Sequence, residues 1–141
     1  MYVLDTNVIS ELRKVQAGKA STRFMRWADR ASASSLYISS ITVLELEIGA
    51  LRIERRDTEQ GAILRRWLDT QVLPSFAERI LPIDEEVARR CAHLHVPDPR
   101  IERDALIAAT ALVHGMTVVT RDVADFASTG VALLNPWDSA Q

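Results

Sequence analysis

Apolar positions along the chain follow two rhythms. Val3-Leu4, residues 36–39, 79–83, 116–120 and Leu133-Leu134 are short apolar or β-branched runs, and each predicts a strand. Between them the spacing becomes three and four, the mark of helices with one buried face. Helices are predicted over 6–13 and 20–31, the second with Phe24, Trp27 and Ala28 in line. A third spans 41–54, with Ile41, Leu44, Ile48 and Leu51 on its packing face. A fourth covers 57–73 and stops before Pro74. Asp84 caps a fifth that runs to about residue 95, residues 96–99 form a loop, and 102–114 is a helix closed by Gly115. The last helix is apolar almost all round after Asp104, so it is expected to be buried.

Strands that alternate with helices predict an α/β fold. The strands are short and apolar on both sides, as in a mostly parallel central sheet with helices on both faces, a three-layer sandwich. No repeat, low-complexity stretch or linker interrupts the pattern. The chain of 141 residues is therefore read as a single domain, 1–141.

Ligand sites in such sheets lie beyond the carboxyl ends of the strands. Asp5 directly follows the first strand, and Asp122 lies just past the strand that ends near Thr120. Two further acids sit on apolar helices: Glu45, in line with Ile41, Ile48 and Gly49, and Asp104, in line with Ile107, Ala108 and Ala111. Taken singly, each has an ordinary explanation. Asp5 and Asp104 serve as helix caps, Asp122 as a turn residue, and Glu45 as half of an ion pair. Taken together, two acids at strand ends and two on buried helical faces converge. Crowded carboxylates resist ionising unless a cation holds them. A donor set of hard oxygens points to Mg²⁺ or Mn²⁺, ions that act on phosphate esters.

Composition narrows the field further. With 48% apolar and 26% charged residues the chain is an ordinary globular protein, with no apolar run long enough to span a membrane. Its start, Met1-Tyr2-Val3-Leu4-Asp5, lacks a basic region and a long apolar stretch, so a cytoplasmic location is expected. The single Cys91 excludes an intramolecular disulfide and a cysteine zinc site. A net charge of −2 argues weakly against nucleic-acid binding, but setting four acids aside for a metal leaves the remainder positive. Of 17 basic residues only Lys14 and Lys19 are lysines. Arg52, Arg55, Arg56, Arg65 and Arg66 make a basic patch that is either a solvated face or a contact for RNA or a partner. His93 and His95, two residues apart, point in different directions, and His114 suits the negative end of its helix. Neither a Ser-His-acid set nor a phosphate-binding glycine loop is present.

The ordered motifs resemble a known family. Residues 1–12 (MYVLDTNVISEL), 38–50 (ISSITVLELEIGA), 104–111 (DALIAATA) and 120–126 (TRDVADF), followed by Leu134-Asn-Pro-Trp, look like the successive motifs of PIN-domain proteins, above all the VapC and FitB type of toxin. The resemblance covers the whole chain. It implies a doubly wound α/β sandwich with Asp5, Glu45, Asp104 and Asp122 as the acidic quartet that binds Mg²⁺ or Mn²⁺. Asp125 is the alternative to Asp122. Glu47 competes with Glu45 but faces about 200° away on the helix. Thr6 or Asn7, Ser39 and Thr120 match nearby polar positions that bond the metal waters or orient the acids. The implied activity is endonucleolytic hydrolysis of RNA by a metal-activated water. The implied partners are a cognate antitoxin, a second copy in a homodimer, and promoter DNA reached only through the antitoxin.

Two other classes compete with this reading. A phosphatase with Asp5 as nucleophile needs a second Asp two residues on, where this chain has Asn7. A PIN-like fold that only binds a partner has no use for four buried acids, which cost stability.

Overall fold

In a computed structural model that describes residues 1–138, the strands are β1 (Tyr2–Leu4), β2 (Leu36–Ser39), β3 (Ile80–Leu81), β4 (Thr117–Val119) and β5 (Leu133–Leu134). The last three positions of the expected 1–141 unit lie outside the described residues. All strand pairs are parallel, in the order β3-β2-β1-β4-β5. The helices are α1 (Thr6–Gln16), α2 (Thr22–Arg30), α3 (Ser40–Arg56), α4 (Thr58–Trp67), α5 (Leu73–Ser75), α6 (Glu85–Leu94), α7 (Glu102–His114) and α8 (Val123–Phe126).

Alternation along the strands sends neighbouring side chains to opposite faces. Leu4, Ile38 and Val119 point into one core with Phe24, Trp27, Ala50 and Trp67, drawn from α2, α3 and α4. Val3 and Val118 point into the other, against Ile107, Ala108 and Ala111 of α7 and Phe126 of α8. The three-layer sandwich with a parallel sheet is thus the observed architecture. As expected, α7 is sealed along most of its length, and it ends at Gly115, whose φ of 66° is the left-handed conformation of a helix stop.

Three sequence expectations need correction. The packing face of α3 is not the whole stripe of Ile41, Leu44, Ile48 and Leu51: Ile41 packs on the second core, but Leu44 and Leu51 do not follow it inward. Thr42 and Ala50 are buried and Val43 and Leu46 pack on the core, whereas Leu44 and Leu51 are 45% and 51% exposed. The helix over 57–73 does not stop before Pro74. After α4 the chain widens into a π-turn at 68–72 and runs on through α5, with Pro74 in its first turn. Proline lacks an N–H and its ring crowds the carbonyl four residues back, and a widened turn relieves both. The strand expected over 79–83 is only two residues long, since Pro82 cannot donate to a ladder. One helix, α8, has no counterpart among the predicted elements, being only four residues long and too short to show a period.

Candidate metal centre at the sheet switch point

Strand order reverses at β1. From β1 the chain builds outward to β2 and β3, then returns to place β4 and β5 on the other side. The crevice at such a reversal opens beyond the carboxyl ends of β1 and β4. Asp5 leaves β1 there, and Thr120-Arg121-Asp122 leave β4. The two ends are bonded together, with Asp5 N donating to the Val119 carbonyl at 2.9 Å.

Asp5 is 7% exposed and both its carboxylate oxygens are engaged. Oδ1 accepts from Thr6 N at 2.8 Å as the cap of α1, and Oδ2 accepts from Thr120 Oγ1 at 2.8 Å. The helix cap is therefore also the acid at the crevice. Thr120 Oγ1 in turn accepts from Asp122 N at 2.9 Å, and Asp122 Oδ2 accepts from Asn7 Nδ2 at 3.0 Å. Glu45 comes from α3, whose start is fixed by the buried Ser39 hydroxyl accepting from Ile41 N. Its Oε1 accepts from Thr6 Oγ1 at 2.7 Å. Thr6, Asn7 and Thr120 thus each hold one acid, whereas Ser39 sets the helix that carries one.

Asp104 stands in the first turn of α7, where Ile101 occupies the cap position without a side-chain bond. It has no hydrogen bond or ion pair among the described residues, so its charge is uncompensated. Desolvation raises its pKa from 3.8 to about 6, helped by the charges of Asp5, Asp125, Glu45 and Asp122. Burial also raises the Asp5 carboxyl, against the lowering effect of its bonds from Thr120 and Thr6, with Glu45 and Asp122 adding repulsion. The four sequence-picked acids are thus coupled electrostatically across four separate segments of chain. Asp125 acts on Asp104 and shares a small pocket with it, but it is not among the charges acting on Asp5.

The donors are hard oxygens throughout, and Asn7 Oδ1 is buried without a partner among the described residues. That chemistry fits a small divalent cation. As placed, no three acids among the described residues form a ready cage.

Glu47 is excluded from the cluster. It grips Arg65 with two bonds, of 2.9 and 2.6 Å, and Arg65 reaches Glu54 as well. The Arg65 guanidinium holds the Glu47 carboxyl below its usual range. The arginine patch is therefore split. Arg65 ties α3 to α4, while Arg52, Arg55 and Arg56 line a cleft of 730 Å³ that begins at Thr6 and Glu45. The cleft, floored by Leu46, Leu64 and Trp67, was not foreseen from sequence. Its signal was present in the spacing of 45, 49, 52 and 56, which follows one helical face.

Comparison with known proteins places the chain in a family. The model of the PIN domain family matches residues 2–131. The chain is 40% identical to the VapC ribonuclease Y4jK of Sinorhizobium fredii, over 99% of this chain and all of that one. It is 39% identical to toxin FitB of Neisseria gonorrhoeae, over 97% and 99% of the two chains. The solved structure of FitAcB from N. gonorrhoeae superposes with a TM-score of 0.87 at 37% identity, covering 97% of this chain and 99% of that one. A structure of FitAB bound to an IR36 DNA fragment gives the same TM-score and identity, with coverages of 98% and 96%. Four ordered motifs, the switch-point acids and a full-length match lead to one assignment: the chain belongs to the PIN-domain family.

Proposed function

We propose that this protein is a Mg²⁺- or Mn²⁺-dependent endoribonuclease and the toxin of a toxin–antitoxin pair. The observation that carries the reading is the convergence of Asp5, Glu45, Asp104 and Asp122 at the β1/β4 crevice, in a chain similar over its full length to a VapC ribonuclease and a FitB toxin.

Asp5, Glu45 and Asp104 are the proposed core ligands, with Asp122 as the fourth. A divalent cation bound there lowers the pKa of a water and neutralises charge on the phosphate. The residues supply the rest. Thr120 and Thr6 fix Asp5 and Glu45 in orientation, and Asn7 fixes Asp122. Asp104 must lose its proton to join the set. RNA runs from the acids along the cleft, where Arg52, Arg55 and Arg56 offer guanidinium forks to phosphates. Thr6 at the cleft mouth is the only hydroxyl bonded to Glu45 among the described residues.

The partners follow from the same reading. A cognate antitoxin covers the site and carries the binding of promoter DNA, a reading supported by the similarity to FitAB, a structure of which is bound to a DNA fragment. The exposed stripe of Leu44 and Leu51 on α3 is the proposed face for a homodimer. Among the described residues no helix is long and apolar enough to cross a membrane.

The test is cleavage of a total-RNA pool by purified protein with Mg²⁺ or Mn²⁺ and with EDTA, beside an Asp5→Asn protein. Asn still caps a helix well, so the variant is expected to fold. Cutting that needs metal and disappears in the variant supports the proposal. An equally active Asp5→Asn protein would overturn the metal assignment.

A further inference from the structure

Arg103 stands where a helix does not favour it. It lies in the first turn of α7, at the positive end of the helix dipole, directly before Asp104. Its Nη1 is 3.9 Å from Glu45 Oε2. Among the described residues it is the only base within ion-pair distance of any of the four acids. The other Glu45 oxygen accepts from Thr6 Oγ1, so Oε2 is the oxygen without a hydrogen bond, and it is the one that Arg103 faces. The contact is long and the Arg103 side chain is 45% exposed, so the pairing is weak and easily exchanged.

We propose that Arg103 is a displaceable counter-ion: it neutralises Glu45 in the metal-free protein, yields Oε2 to an incoming divalent cation, and then forks onto the phosphate of the RNA. The inference rests on the metal-site reading above. Two properties of the side chain suit the exchange. A guanidinium stays charged at any working pH, so its release from Glu45 leaves a cation in need of an anion. Its planar fork matches two phosphate oxygens, and its place on the rim beside Asp104 keeps it within reach of the crevice. A positive group held against the phosphate where charge develops is worth most in a partly water-excluded site.

The exchange has a signature that a structural role lacks. Removing Arg103 takes away a competitor for Glu45 and also takes away a phosphate ligand, so metal affinity and cleavage move in opposite directions. The experiment measures Mn²⁺ binding without RNA, by electron paramagnetic resonance, and initial cleavage of a total-RNA pool at saturating Mn²⁺. The proteins are wild type, Arg103→Ala, Arg103→Lys and Asp5→Asn. Arg103→Ala is expected to bind Mn²⁺ about threefold or more tightly and to cleave about tenfold or more slowly. Arg103→Lys, which keeps the charge without the fork, is expected near wild type in Mn²⁺ affinity and only partly recovered in rate. Unchanged or weaker Mn²⁺ binding by Arg103→Ala, or an unchanged rate, overturns the proposal. Equal Mn²⁺ binding by wild type and Asp5→Asn is a different failure, because it overturns the metal site itself.

Discussion

Thr120 Oγ1 donates to Asp5 Oδ2 across 2.8 Å of buried space, and the two residues are 115 positions apart. The same hydroxyl accepts from Asp122 N, so one oxygen aligns the acids that follow β1 and β4. Thr120→Val keeps the shape and removes both bonds. It is expected to cost about 1–2 kcal/mol, since a buried carboxylate oxygen loses its donor. Cleavage is expected to fall about tenfold or more as Asp5 loses its orientation. Denaturant melts and RNA-cleavage rates on the same preparation check both; an unchanged rate would show that Asp5 is held without Thr120.

Glu45 and Glu47 separate by the direction each takes from α3. Glu45→Gln is expected to lose Mn²⁺ affinity and cleavage while melting normally. Glu47→Gln is expected to keep both and to lose up to about 1 kcal/mol, because Arg65 retains Glu54 and Asp69 as partners. Titration calorimetry with Mn²⁺ decides, and the reverse pattern would move the ligand to Glu47.

The acid at the fourth position is resolved by a similar pair. Asp122 is held by Asn7 and acts on Asp5, while Asp125 acts on Asp104 alone of the two. Asp122→Asn is expected to weaken Mn²⁺ binding more than Asp125→Asn does. Calorimetry that ranks them the other way would give Asp125 the role.

Asp104 makes the metal-free protein sensitive to pH in a fixed direction. Its pKa is about 6 in the fold against an ordinary 3.8, so between these values the folded state binds the extra proton. Stability therefore falls as pH rises through that window, and Asp5, raised as well, adds in the same sense. In EDTA the Tm is expected to be higher at pH 5 than at pH 7.5. Asp104→Asn is expected to flatten this slope and to raise the Tm at pH 7.5 by about 2–4 °C, the carboxylate being partly solvated. Mn²⁺ affinity is expected to weaken as pH falls below 6, since the proton must leave first. Thermal scans across pH with and without Mn²⁺ follow both effects; a slope unchanged in Asp104→Asn would place its origin elsewhere.

Much of this was readable from residue order. A strand followed at once by Asp5, and β-branched Thr117-Val118-Val119 followed by Thr120-Arg121-Asp122, placed two acids at strand ends before any coordinates. The register of burial on α3 was not readable. Leu44 and Leu51 repeat at helical spacing as well as Val43, Leu46 and Ala50 do, and periodicity does not say which stripe meets the sheet. The π-turn was also hidden, because Pro74 signals a break but not whether the helix recovers after it. Arg103 escaped notice for a simpler reason. Its partner is 58 positions away, and a single arginine beside an aspartate reads as ordinary surface charge.

The central position of β1 has a consequence for biosynthesis. Its first neighbour, β2, is made soon after it, but its other neighbour, β4, lies more than a hundred residues downstream. Until β4 has emerged from the ribosome, one flank of β1 is open and Asp5 has neither its bond from Thr120 nor its bond to Val119. The acid cluster is therefore incomplete in a growing chain until β4 docks. A nascent protein with this topology has its full acid cluster only after the residues of β4 have been synthesised.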